Sequence, residues 1–136
     1  MTAAGWAAAC ALAFGTIASA HGAPDATRGE QIYVRCMACH ALAADRVGPH
    51  HCGVVGRRAG SVKGFDYSPA MKKSGLVWDD KTLDRFLAKP LAVVPGSTMT
   101  YDGVADANER ADLIAYLKQA SRSPECATPG KPLTRG

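Results

Sequence analysis

Five consecutive residues, Cys36-Met37-Ala38-Cys39-His40, offer the most distinctive chemistry in this 136-residue sequence. Two cysteines three apart near a helix end point to nearly the same side, so both sulfurs can add across the two vinyl groups of one porphyrin edge. The next residue, His40, then falls under the iron as an axial ligand, and the pattern reads as the attachment site of a c-type haem. Two rivals share part of it. A thioredoxin-type dithiol expects a strand before the Cys-x-x-Cys, and none is signalled. A zinc site needs a second ligand pair, which Cys52 with His50 or His51 would supply only awkwardly.

An iron held by His40 takes its sixth ligand from elsewhere, and the candidates are His21, His50, His51, Met37, Met71 and Met99. Met37 lies inside the attachment motif, where its side chain points away from the iron. His21 sits where a processed N-terminus frays. His50 and His51 follow His40 by ten and eleven residues, which keeps a bis-His site open as the alternative. Met71 follows a helix cap and reads as a core or haem-contact residue. Met99, in Pro95-Gly96-Ser97-Thr98-Met99, sits on a loop able to swing a thioether over the opposite haem face, and spacing favours it over Met71.

Four helices are expected to position these groups. The first covers 25–37, with Asp25 as cap and Gly29, Ile32, Tyr33 and Cys36 on one face. A short one runs 68–75 behind Ser68-Pro69. A third covers 79–88, burying Leu83, Phe86 and Leu87 and stopped by Pro90. The last starts at Asp106, with Glu109 three residues on and an apolar face of Leu113, Tyr116, Leu117 and Ala120. Loops 41–65 and 91–104 are long for so small a domain unless a cofactor organises them.

Residues 1–20 carry no charged side chain and end in Ala18-Ser19-Ala20. They read as an export signal cleaved after Ala20, although the usual opening Lys or Arg is missing. That leaves a domain over 21–120, a flexible tail over 121–136 with three prolines, and a periplasmic, oxidising location. Five cysteines, less Cys10 in the signal and two on haem, leave Cys52 and Cys126 as a candidate disulfide. Sixteen basic against twelve acidic residues leave +4, interspersed rather than clustered, which argues against a nucleic-acid partner. No apolar run reaches the length of a mature membrane span.

In order along the chain stand Gly29 and Tyr33, the attachment motif, Gly48-Pro49, Gly53-Val54-Val55-Gly56-Arg57, Gly64-Phe65-Asp66-Tyr67-Ser68, Trp78, Leu83, Leu87, Pro90, Val94-Pro95-Gly96-Ser97-Thr98-Met99, Gly103 and Arg110-Ala111-Asp112-Leu113-Ile114-Ala115-Tyr116-Leu117. Over roughly 29–118 the chain thus resembles the class I cytochromes c, in the style of the bacterial cytochrome c2 group. The resemblance implies an all-α fold in which N- and C-terminal helices cross and short helices and long loops wrap one covalent haem c. Carried over by position, Cys36 and Cys39 are the thioether anchors, and His40 and Met99 are the axial ligands. Pro49 supplies the carbonyl for the proximal imidazole, Arg57, Tyr67 and Trp78 meet the propionates, and Tyr101 lies beside the haem edge. Three positions depart from the family. Phe86 stands where a tyrosine often bonds the Met sulfur, Met71 replaces a polar residue, and His51 replaces a leucine, reading as a histidine that reaches solvent or bonds the backbone.

The implied function is one-electron transfer rather than enzymatic catalysis. A quinol–cytochrome c reductase or dehydrogenase would donate, and an oxidase or reaction centre would accept, with the chain a monomer lacking a stable membrane anchor. Arg35 and Arg46 match a ring of docking lysines in relatives, whereas Leu91, Thr98, Ala105 and Asp106 do not, so apolar contact around Leu91, Val93 and Tyr101 is expected to matter more. A haem enzyme or gas sensor with a labile sixth ligand is the rival reading.

Overall fold

Aspartates start three of the helices. The Asp25 carboxylate accepts the N–H groups of Thr27 and Arg28 ahead of α1 (Ala26–Tyr33), satisfying donors that a helix start leaves open. These elements come from a computed structural model that describes Met1 and residues 22–127. The proposed export signal with Cys10, its cleavage point after Ala20, His21 and residues 128–136 lie outside the described residues. Ser68 caps α2 (Pro69–Lys73), with proline in its first turn. Asp79 caps α3 (Asp80–Ala88). After α4 (Pro90–Val93), Asp106 caps α5 (Ala107–Ala120), and α6 (Pro124–Ala127) ends the described chain. Among the described residues there is no strand, only an isolated bridge between Arg58 and Val77. None of the described helices is long and apolar enough to cross a membrane.

Helices α1 and α5 pack at backbone distance. A Cβ built on Gly29 would lie 2.0 Å from the Asp112 carbonyl oxygen, so any larger residue there forces the pair apart. One ion pair locks the crossing: the buried Asp112 carboxylate accepts Arg28 Nε at 2.7 Å, Arg28 Nη2 at 3.1 Å and the Asp25 N–H at 2.6 Å. The Arg28 hydrogen bond is the main reason its carboxyl stays below the usual aspartate value. Beneath the crossing, Ile32, Leu113 and Leu117 join Leu83, Phe86 and Leu87 of α3 in one core.

Three elements depart from the sequence reading. The helix expected over 25–37 is α-helical only to Tyr33 and tightens into a 3-10 turn, Val34–Cys36, a common way for a helix to end. Pro90 stops α3, as expected, and also begins α4, a position where its missing N–H costs nothing. The tail expected to be flexible from 121 is fixed as far as Ala127. Ser121 Oγ accepts the Gly53 N–H at 2.9 Å and donates to the Leu117 carbonyl, and Cys126 in α6 is joined to Cys52. A crosslink to the loop after His51 holds a segment that local sequence alone would leave loose.

Candidate cofactor site

The turn that closes α1 winds the motif into one cluster. Both the Cys39 and His40 N–H groups donate to the Cys36 carbonyl, at 3.1 and 2.9 Å. Cys36, Cys39 and His40 all line a cavity of about 340 Å³, while Met37 points to the surface outside it. Neither cysteine is in a disulfide; Cys36 is half-buried and Cys39 exposed. Burial raises the Cys36 thiol above its ordinary value.

His40 is buried, and its Nδ1 lies 2.8 Å from the Pro49 carbonyl oxygen. A carbonyl can only accept, so Nδ1 carries the proton and Nε2 keeps a free lone pair. Burial, only partly opposed by that bond, holds the imidazole below its usual pKa and favours the neutral form. Gly48 backs the ring so closely that a Cβ there would sit 2.2 Å from Cε1. This is the arrangement of a metal-ligating histidine with its orienting carbonyl.

The rest of the cavity is mostly hydrocarbon. Leu83, Phe86 and Leu87 come from α3, Leu113 and Leu117 from α5, and Met71 from α2. Arg57, Tyr67 and Trp78 stand in the same lining, as do Met99 and Tyr101 from the loop before α5. Arg57 donates to the carbonyls of Cys52 and His50 at 3.0 and 2.7 Å, yet its buried Nε has no partner. Its pKa is lowered, chiefly by burial, as expected of a cation short of counter-charge. Apolar walls, two thiols, an imidazole with a free Nε2 and an unsatisfied guanidinium together fit a haem, an apolar macrocycle with carboxylate arms.

Three of the candidate sixth ligands, His51, Met71 and Met99, are thus brought to the cavity. Met71 is buried on α2, whereas Met99 is half-buried on a loop whose Ser97 Oγ accepts the Met99 N–H. His50 pairs instead with Asp45 at 2.7 Å, outside the lining. His51 does line the cavity, but its ring stacks on His40 with centroids 4.2 Å apart and planes at 22°. Rings so close cannot bind opposite faces of one iron. Where a histidine reaching solvent or bonding the backbone is expected, His51 has a side-chain partner: Nδ1 lies 3.1 Å from the Tyr33 hydroxyl. Burial first, then the nearby His40 and Arg57, pushes its pKa down to about 3. Sequence reasoning missed this contact because Tyr33 and His51 stand 18 positions apart. No cluster of three or more His, Cys, Asp or Glu able to hold a metal ion occurs among the described residues. Cys52, the partner a zinc site would have needed, is bonded to Cys126.

Two basic side chains, Arg35 of the cavity lining and Arg46 beside Val47, are occupied. Arg35 forms a two-point pair with Glu109 at 2.8 and 3.1 Å, and Arg46 donates to the Met37 carbonyl at 2.7 Å. Val47, which lines the mouth, and neighbouring Val34 and Met37 are exposed, as is Leu91.

The Cytochrome c family model matches residues 26–121. The chain is 50% identical over 103 residues to cytochrome c2 of Rhodomicrobium vannielii, covering 74% of this chain and 82% of that protein. It is 41% identical over 100 residues to cytochrome c2 of Blastochloris viridis, covering 71% and 79%. Among solved structures, cytochrome cH from Methylobacterium extorquens superposes with a TM-score of 0.69 at 45% identity, covering 70% of this chain and 98% of that one.

Proposed function

Because the chain belongs to the cytochrome c family, we propose that it is a soluble, exported one-electron carrier whose single haem c iron is ligated by His40 and Met99. The family carries its haem covalently and transfers electrons, so the chain is an electron-transfer protein and not an enzyme. When bound, haem supplies a one-electron couple at iron, and a Met/His ligand pair raises its potential.

The observation that carries the ligation reading is His40, with its Nδ1 proton engaged by the Pro49 carbonyl and its Nε2 free in the cavity that Cys36 and Cys39 border. In this reading the two cysteines tether the macrocycle, and the Pro49 carbonyl orients the imidazole and makes it more basic. Met99 is the better distal candidate because its loop can adjust to a ligand, while Met71 is committed to the closed core. Arg57 supplies through Nε the hydrogen bond a propionate needs, with Tyr67 and Trp78 beside it in the lining. Leu83, Phe86 and Leu87 exclude water. Phe86 offers no hydroxyl to a Met sulfur.

Export through residues 1–20, with cleavage after Ala20, delivers the chain to the periplasm, where a bridge such as Cys52–Cys126 persists. A quinol–cytochrome c reductase or dehydrogenase reduces the monomer, and an oxidase or photosynthetic reaction centre oxidises it.

The test is spectroscopic. The purified holoprotein should keep its pigment through acidified acetone and show a low-spin oxidised spectrum with the weak far-red sulfur-to-iron band. It should cycle reversibly by one electron without binding carbon monoxide at neutral pH. Pigment lost to the solvent refutes covalent attachment, and prompt carbon monoxide binding favours the haem enzyme or gas sensor.

A further inference from the structure

We infer that His51 is a positioning residue: its ring, held by the Tyr33 hydroxyl, fixes the plane of the His40 imidazole. The inference rests on His40 being an iron ligand. The bond from His40 Nδ1 to Pro49 restrains one edge of the ring. An imidazole held only through its two nitrogens can still rock about the line joining them. Packing against its faces is what limits that motion, and His51 supplies such packing as a near-parallel ring at 4.2 Å.

A stacked ring restrains its neighbour only if it is itself fixed, and His51 is fixed twice. Its backbone N–H is bonded to the Ala41 and Leu42 carbonyls at 3.1 and 3.0 Å, and its Nδ1 meets the Tyr33 hydroxyl at 3.1 Å. Tyr33 is buried on α1, edge-on to His51 at 5.6 Å and tilted against Tyr116 of α5 at 5.1 Å. A ladder of four rings therefore runs from the crossing of α1 and α5 to the proximal imidazole. An aliphatic side chain at position 51 would fill the volume but would present no plane and take no bond from Tyr33.

The orientation of an axial imidazole sets how unpaired spin spreads over the porphyrin of an oxidised low-spin iron. The haem-methyl proton shifts and the electron-paramagnetic g-values read it directly. The experiment compares the oxidised wild-type holoprotein with His51→Leu, His51→Phe and Tyr33→Phe, with far-UV circular dichroism to check folding. His51→Leu is expected to alter the order or spread of the haem-methyl shifts and the g-anisotropy while the iron stays low-spin. His51→Phe, which restores a stacked ring, should return the pattern toward wild type, and Tyr33→Phe should move it part of the way toward His51→Leu. A general loss of packing would not be rescued by Phe. Wild-type shifts in His51→Leu, or equal displacement in His51→Leu and His51→Phe, overturn the inference. If His51→Leu does not load haem, Tyr33→Phe decides, and an unmoved pattern there overturns it. Failure of the ligation reading itself would show earlier and separately, as the lack of low-spin His/Met signals in the wild-type protein.

Discussion

Replacing both Cys52 and Cys126 by serine removes the crosslink that closes 74 positions of chain. In the chain-entropy view such a bridge acts mostly on the unfolded ensemble, and a loop of this length corresponds to about 4 kcal/mol. The covalent haem does not substitute for it, because Cys36 and Cys39 close only a short local ring outside the bridged segment. At roughly 2 cal/mol/K of unfolding entropy per residue, about 100 folded residues give a fall in Tm of roughly 15–20 °C. The hydrogen bond between Gly53 N–H and Ser121 Oγ survives the substitution and holds the folded tail locally, so the effect should lie mainly in the unfolded state. Guanidinium unfolding of oxidised wild type and double variant is the assay. Adding a reductant to the wild type is not equivalent, since it would also change the state of the iron. The variant should unfold earlier with a steeper slope, because its unfolded chain exposes more surface. A stability loss under about 1 kcal/mol, with an unchanged slope, would refute the reasoning. So would two free sulfhydryls titrated in the unfolded, unreduced holoprotein.

Gly29→Ala should cost about 2 kcal/mol or more by thermal or denaturant unfolding, because the Cβ meets the Asp112 carbonyl and outweighs the better helix propensity of alanine; equal or higher stability would contradict a backbone contact. Asp112 has a folded pKa below its unfolded one, so its stabilisation is present above the unfolded value and is lost as pH falls through the folded value. Asp112→Asn should lower stability at neutral pH and flatten the acid limb of the stability profile, and wild-type and variant curves that stay parallel into acid would refute this. With Arg35 and Arg46 occupied and Val47 and Leu91 exposed, electron transfer to a natural partner should slow by less than about threefold between low and physiological salt. Leu91→Asp should slow it more than Arg35→Ala; a steep salt dependence in stopped-flow kinetics would overturn that view of the docking face.

Local chemistry was legible where the residues that act are neighbours in sequence. The caps at Asp25, Ser68 and Asp106 each rest on a donor two or three residues away, and the Cys-x-x-Cys-His spacing brings its three side chains to one cavity. What escaped the sequence depends on contacts across the chain. Nothing near Asp112 signals that Arg28, 84 positions away, will hold it in the helix crossing. The candidate pair Cys52 and Cys126 already points to a tie between the tail and the loop at Gly53, but nothing near Ser121 signals the added bond from Gly53 N–H to its hydroxyl. Pro90 signals a stop to α3, but a proline that ends one helix also suits the first turn of the next. Nothing near His51 in sequence signals its partner, because the loop after His40 folds back on Tyr33, 18 positions away.

The central claim is an iron held between His40 and Met99, and the far-red absorbance of oxidised Met99→Ala beside Met71→Ala tests it most directly. The account predicts that Met99→Ala loses the sulfur-to-iron band while Met71→Ala keeps it. A band that survives in Met99→Ala, or disappears in Met71→Ala, would contradict it.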